Sequence, residues 1–350
     1  MSLIRLLKLM ERQRPTEQQM AVLGSFLPDP GNVEVVREIK DRVRVLRYDG
    51  LDYVLKQYLP EDSPDKIDFS RRLQRFVNQR MGFPDTTILT SGGGLFTLYD
   101  GIGYDLTEYV EVSEPRGSVG SDSDEYFSKI GAFVGRLHNV FAEYERSGIP
   151  IPPSGLRIDY EGQTTMEGLL RQYETMGING PWRGIIRDKI AIADSHHGTA
   201  SNIDGLPVTL VHGDIHQGNL LIGTDGKVAT IIDFIQAGKF YRCYEVMRAA
   251  VQTNKSMGNV DLDPRNLRSF LIGYFKECCL EDIELKEMLG LYIYTQANDT
   301  SFNRPEIITG GDVEYSLYRY RSLLSLLNGM GNLQSCIDQV GEEMARKNER

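Results

Sequence analysis

The stretch LVHGDIHQGNLLIGTDGKVATIIDF, residues 210–234, constrains the chain more than any other. VTLV reads as an apolar strand that stops at a His-Gly-Asp loop. NLLIG and VATIID read as two short strands around TDGK, which is turn chemistry. Counting outward from Asp225-Gly226, Asn219 and Asp233 face each other across this hairpin, within about one residue of register. An amide oxygen and a carboxylate held together suit magnesium, a hard cation that takes oxygen ligands and shares its shell with phosphates and water. Asp214, on the loop feeding the hairpin, suits a separate role, that of accepting or orienting the proton of a hydroxyl nucleophile. Together these are the parts of a phosphoryl-transfer site, where catalysis is mostly positioning and charge stabilisation. A zinc reading of His212 and His216 lacks a third partner, since the nearest histidines, in SHHG at 195–198, fall in a loop.

HGDIHQGN followed by IIDF resembles the catalytic and metal-binding segments of the aminoglycoside phosphotransferase family, which includes choline, homoserine and sugar kinases and is related to protein kinases. The resemblance implies an α+β, protein-kinase-like bilobal fold: a small antiparallel β-sheet N-lobe and a mainly helical C-lobe, with ATP between them. It implies that Asp214 is the catalytic base or hydroxyl-orienting residue, that His212 braces the catalytic loop, and that Asn219 and Asp233 hold Mg2+. Asp214 and Asn219 have the five-residue separation of the protein-kinase catalytic loop. Asp233-Phe234-Ile235 lacks the glycine of the protein-kinase motif, which favours a small substrate over a protein.

The N-terminal third agrees with this pattern. Alternating β-branched and aromatic residues predict strands at about 33–39, 43–48 and 51–58, with Asp49-Gly50 as a hairpin turn. Lys56 lies on the third strand, where the family places the lysine that holds nucleotide phosphates. Phe69, Leu73, Phe76 and Val77 recur at helical spacing until Gly82 and Pro84 end the run. TTILT, LFTLYD and YDLTEYVEV read as further strands, and the last resembles a hinge at which the Glu108 carbonyl and Val110 amide would meet adenine. SGGG at 91–94 precedes a strand and reads as an ordinary turn. Two features depart from the family. No Glu occurs between Glu61 and Glu108 to pair with Lys56, leaving Asp68, Gln74 or Glu61 as substitutes, and the KDR turn between the first two strands lacks glycine.

The Ser/Gly-rich SEPRGSVGSDSD divides the chain into an expected nucleotide-binding lobe, 1–112, and a helical lobe, 113–350, with the catalytic loop and substrate site. The helical lobe opens with a strong amphipathic helix whose buried face is Tyr126, Phe127, Ile130, Phe133, Val134, Leu137 and Phe141, with His138 packed beside it. Helices follow around 166–176 and 182–195, and from about 243 to the end the pattern is mainly helical.

A net charge of −10 with no long basic run argues against a nucleic-acid partner. No apolar run reaches the length of a membrane span, and the first fifteen residues read as an amphipathic helix rather than a signal peptide. Cys243, Cys278, Cys279 and Cys336 fit no zinc or disulfide frame, which points to reduced thiols and a cytoplasmic setting. The expected partner is a small-molecule hydroxyl substrate: an aminoglycoside, an amino sugar, a sugar or an amino alcohol. The acidic residues of CLEDIELKEML and GGDVEYSLY permit a cationic one. A catalytically silent nucleotide-binding or scaffold protein of the same fold is the second reading, and its only support is the absent helix glutamate.

Overall fold

The computed structural model describes residues 14–111, 123–158, 162–196, 198, 203–223, 227–310 and 313–348. The expected helix at the N-terminus, most of the Ser/Gly-rich loop and the Asp225-Gly226 turn lie outside the described residues. The chain divides into two compact units, one within residues 1–113 and 221–235, the other within 114–220 and 236–350.

The smaller unit is an antiparallel sheet with two helices. A short helix α1 (Glu17–Leu23) precedes β1 (Glu34–Lys40), β2 (Val43–Tyr48) and β3 (Leu51–Gln57). Then come α2 (Pro64–Met81), β4 (Thr87–Ile88), β5 (Thr97–Tyr99) and β6 (Ile102–Glu108). The strand order is β1-β2-β3-β6-β4, with β5 also paired to β6. Asp49 and Gly50 both take positive φ, 49° and 78°, as a two-residue turn matched to the strand twist requires. The second Tyr-Asp-Gly triplet repeats the device: Asp100 and Gly101, at 49° and 77°, join β5 to β6. Leu46, Leu55 and Leu106 are buried in one core cluster with Val22 and Leu23 of α1. The Ser63 side chain caps α2, Pro64 opens it and Gly82, at φ 73°, closes it. Its Ile67, Leu73 and Val77 are buried, whereas Phe76 is only half-buried. The strands β8 (Leu220–Ile222) and β9 (Val228–Ile231) pair with each other. Thr230 of β9 donates to Asn78 Oδ1 of α2 at 3.2 Å.

The larger unit is mainly helical. It comprises α3 (Ser123–Arg146), α4 (Gly162–Thr175), α5 (Trp182–Ser195), α6 (Arg242–Ser256), α7 (Pro264–Phe275), α8 (Asp282–Asn298), α9 (Pro305–Gly310) and α10 (Val313–Asn348). Helix α3 buries Phe127, Ile130, Phe133, Val134, Leu137 and Phe141, and Tyr126 is half-buried at its margin. Two glycines let α3 and α7 touch backbone to backbone. A Cβ on Gly131 would sit 2.0 Å from the Phe270 carbonyl oxygen, and one on Gly273 2.0 Å from that of Ser128. GKFY forms β10 (Gly238–Tyr241), which pairs antiparallel with β7 (Val208–Val211), and the helical region expected from about 243 begins right after it with α6. Aromatic residues at Phe240 and Tyr241 favour a strand once β7 is available as a partner. All four cysteines are free, and no described helix is long and apolar enough to cross a membrane.

The glycine contact yields a direct expectation. Gly131→Ala forces the α3 and α7 backbones apart and lowers the unfolding free energy by about 2–3 kcal/mol in urea titration. A loss under about 0.5 kcal/mol would contradict the close packing.

Candidate active site

In the larger unit the His-Gly-Asp loop leaves β7 and is fixed by one buried carboxylate. Glu245, on α6 and 1% exposed, accepts the Gly213 amide at 2.6 Å on Oε1 and the His212 amide at 3.0 Å on Oε2. His138 of α3 meets the same Oε2 through Nε2 at 2.9 Å, and its Nδ1 meets the Tyr274 hydroxyl at 2.9 Å. Burial pushes the Glu245 pKa up. The His138 hydrogen bond, the neighbouring imidazoles and the Gly213 amide outweigh burial and hold it below its ordinary value. Gly213 has φ 81°, and a Cβ there would lie 2.5 Å from the Gln236 carbonyl oxygen, so the position admits only glycine.

The loop presents Asp214, whose own amide donates to His212 Nδ1 at 3.2 Å. Arg248 of α6 holds the aspartate with Nη2 to Oδ1 at 2.6 Å and Nη1 to the Gly213 carbonyl at 3.0 Å. His216 Nδ1 accepts the Gly218 amide at 2.9 Å, so its proton sits on Nε2, 3.4 Å from Asp214 Oδ2. Asn219 gives both amide hydrogens to Asp214, 2.9 Å to the carbonyl oxygen and 3.2 Å to Oδ2. Its Oδ1 takes no part in these two bonds. Burial pushes the Asp214 pKa up. The His216 hydrogen bond and the Arg248 charge overcome this and hold the carboxyl well below the usual carboxylate range.

In the smaller unit Lys56 of β3 donates to Asp233 Oδ1 at 2.7 Å. Asp233 follows β9 by two residues and takes φ 67°, a left-handed conformation that costs energy outside glycine and clusters at functional sites. Across the ladder from Lys56 stands Asp105 of β6, which accepts the Tyr58 hydroxyl at 2.5 Å and lies 3.4 Å from Arg71 Nε. Burial, then the Asp105 charge, drive the Tyr58 phenol well above its ordinary pKa. Where the family pattern expects a glutamate on α2, this helix turns the buried Arg71 toward the sheet. Asp68 instead bonds Arg72 on the surface, and Gln74 bonds Arg71. A cavity of about 540 Å³ opens at Lys56 and Asp233 and is also lined by Arg42 of the glycine-free turn.

The structure thus brings Lys56 to Asp233 in one unit, and Asp214 to His212 and Asn219 in the other. Glu108 ends β6, its amide given to the Thr86 carbonyl at 2.8 Å, and Val110 follows two residues on. Sequence reasoning missed Glu245 and Arg248. Their signal was the three-residue spacing of an acid and a base in GKFYRCYEVMRAAV, the segment next along the chain after IIDF. By sequence the acidic residues of CLEDIELKEML and GGDVEYSLY permit a cationic substrate, and Asp312 of the second segment lies outside the described residues. In the first segment Glu284 is buried and paired with Arg242, and it also accepts the Glu281 amide at 2.9 Å at the start of α8.

The sequence pattern of the phosphotransferase enzyme family (APH) matches residues 36–282. The chain belongs to this family and is by class a small-molecule kinase. No curated protein sequence matches it. An aminoglycoside phosphotransferase from Alicyclobacillus acidocaldarius shares the fold at 12% identity and TM-score 0.61, over 95% of this chain and 99% of that one. An amicoumacin kinase, solved with AMP-PNP and Ca2+, gives 16% and 0.56 over 98% and 96% of the two chains. A microcompartment-associated aminopropanol kinase gives 14% and 0.57 over 91% and 97%. At such identities the likeness establishes the protein-kinase-like fold.

The electrostatics of Asp214 give a pH expectation. A carboxyl held below its ordinary pKa stays ionised as pH falls through the usual range, so its protonation does not limit turnover there. Arg248→Met removes the pairing charge and raises that pKa. The acid limb of the kcat/KM profile should then move to higher pH, and an unmoved limb would show that Arg248 does not control the ionisation of Asp214.

Proposed function

We propose that the chain transfers the γ-phosphoryl group of ATP, with Mg2+, to a hydroxyl of a small molecule. The observation that carries this reading is Asp214, presented on a loop clamped by Glu245 and kept ionised by Arg248 and His216. So stabilised a carboxylate is a weak proton acceptor. It suits a loose phosphoryl-transfer transition state, in which the acceptor oxygen needs aiming more than early deprotonation. The acceptor hydroxyl donates to Asp214 and thereby points a lone pair at the phosphorus.

Lys56 is assigned to the nucleotide phosphates, with Arg42 supplying from a side chain the positive charge that glycine-rich turns supply from backbone amides. Asn219 and Asp233 each fit magnesium by donor type: the amide oxygen of Asn219 is left over from its bonds to Asp214, and Asp233 is a partly exposed carboxylate. When bound, the ion neutralises charge on the phosphates. The Glu108 carbonyl and Val110 amide are assigned to adenine, and His212 to bracing the loop through its contact with the Asp214 amide. Nucleotide use is supported by the AMP-PNP complex of the amicoumacin kinase and by the ADP complex of a spectinomycin phosphotransferase. The acidic partner that Lys56 finds in Asp233, without a helix glutamate, supports the kinase reading over the silent scaffold.

Coupled ADP release across aminoglycosides, amino sugars, sugars and amino alcohols identifies an acceptor. With it, Asp214→Asn should lower kcat by about 10³-fold or more while the Kd for MgATP, measured calorimetrically, changes by less than about twofold. Turnover near wild type in that variant would refute the assignment.

A further inference from the structure

A cavity of about 360 Å³ within the larger unit opens at Asp214. One wall is α6, which sends Arg248 and Lys255 into it from positions seven residues apart, on one face of the helix. The other wall carries Asp299, just past α8, with Tyr315 and Arg319 from the first turns of α10.

The charges on these walls are not matched among the described residues. Both carboxylates are committed: Asp214 to Arg248 at 2.6 Å, and Asp299 to Arg319 at 2.7 Å. Lys255 lies within ion-pair distance of no carboxylate among the described residues. Its ammonium instead sits 4.1 Å from the centre of the Tyr315 ring and 5.0 Å from that of Tyr318, and it hydrogen-bonds the Tyr315 side chain, a neutral partner. Such ring contacts fix the position of a cation without neutralising it. Behind the far wall Lys189 is buried, donating to the Asp299 carbonyl and to Asn303 Oδ1 at 2.9 Å. Burial lowers its pKa to about 8, so this second ammonium remains mostly charged at neutral pH. An acceptor bearing an amine would meet cations on both walls and, among the described residues lining the cavity, no uncommitted carboxylate to receive it.

We propose, resting on the kinase reading of this site, that the acceptor alcohol carries an anionic group, a carboxylate or a phosphate ester, and that Lys255 is the residue that recognises it. The structural counterparts named for aminoglycosides and aminopropanol would then share the fold while differing in acceptor charge. Lys255 acts here as a specificity residue, at the far end of the α6 face that also carries Arg248.

The test uses the full chain with saturating AMP-PNP and Mg2+, so that the Lys56 side is occupied. Glucosamine, glucose, glucuronate and glucose 6-phosphate are titrated calorimetrically as cationic, neutral and two anionic probes of one sugar frame. A charge-assisted contact should make one of the anions bind at least about tenfold more tightly than glucosamine. Which anion wins distinguishes a carboxylate from a phosphate ester. Lys255→Met should cut the anion-to-amine ratio at least about fivefold, and Lys255→Arg should restore it. Preference for glucosamine, no difference among the probes, or an anion preference indifferent to Lys255→Met overturns the proposal. Coupled ADP release on the same panel separates the two claims. Transfer to glucosamine but not to the anions keeps the kinase reading and removes the anionic acceptor, whereas failure to bind MgATP at all removes both.

Discussion

One buried carboxylate organises the His-Gly-Asp loop of this protein. Glu245 accepts two consecutive backbone amides and a histidine in a place with almost no water. An unpaired carboxylate there would be strongly destabilising, so the loop amides are drawn to it and their geometry follows. Gly213 must then adopt positive φ and pass close to Gln236, which excludes every other residue type. Asp214 emerges one residue later, where Arg248, three positions beyond Glu245 on the same helix, meets its carboxylate. Helix α6 thus carries the anchor of the loop and the counter-charge of Asp214, and their relative placement is as rigid as a helix turn.

Much of the fold was legible in the sequence because it depends on local pattern. The first three strands and the Asp49-Gly50 turn follow from alternation and from the left-handed tolerance of Asp and Gly. The long helix at 123–146 announces its buried face by spacing alone. The same holds for the order of the motif at 212–233, whose residue types are tied to one chemistry.

What was not legible depends on partners distant in sequence. Glu245 looks like any acid on a helix until His138, from another helix, and the loop amides surround it. GKFY becomes a strand because β7 is there to pair with it. The partner of Lys56 was sought on α2, where the helix instead carries Arg71, matched to Asp105 on β6. Net charge and the lining of one cavity are separate matters. The chain is strongly acidic overall, yet the cavity at Asp214 is lined by Arg248, Lys255 and Arg319. Overall charge speaks to solubility and long-range steering, while the lining of a cavity is set by which few side chains the helices turn inward.

The central claim is that Glu245 holds the loop that presents Asp214, and amide hydrogen exchange over residues 210–216 reads it most directly. Compared with the wild type, Glu245→Gln should speed exchange at His212 and Gly213 at least about tenfold, because a neutral amide accepts these bonds far more weakly. Turnover should fall with it. Unchanged protection of those two amides, with turnover intact, would contradict the account.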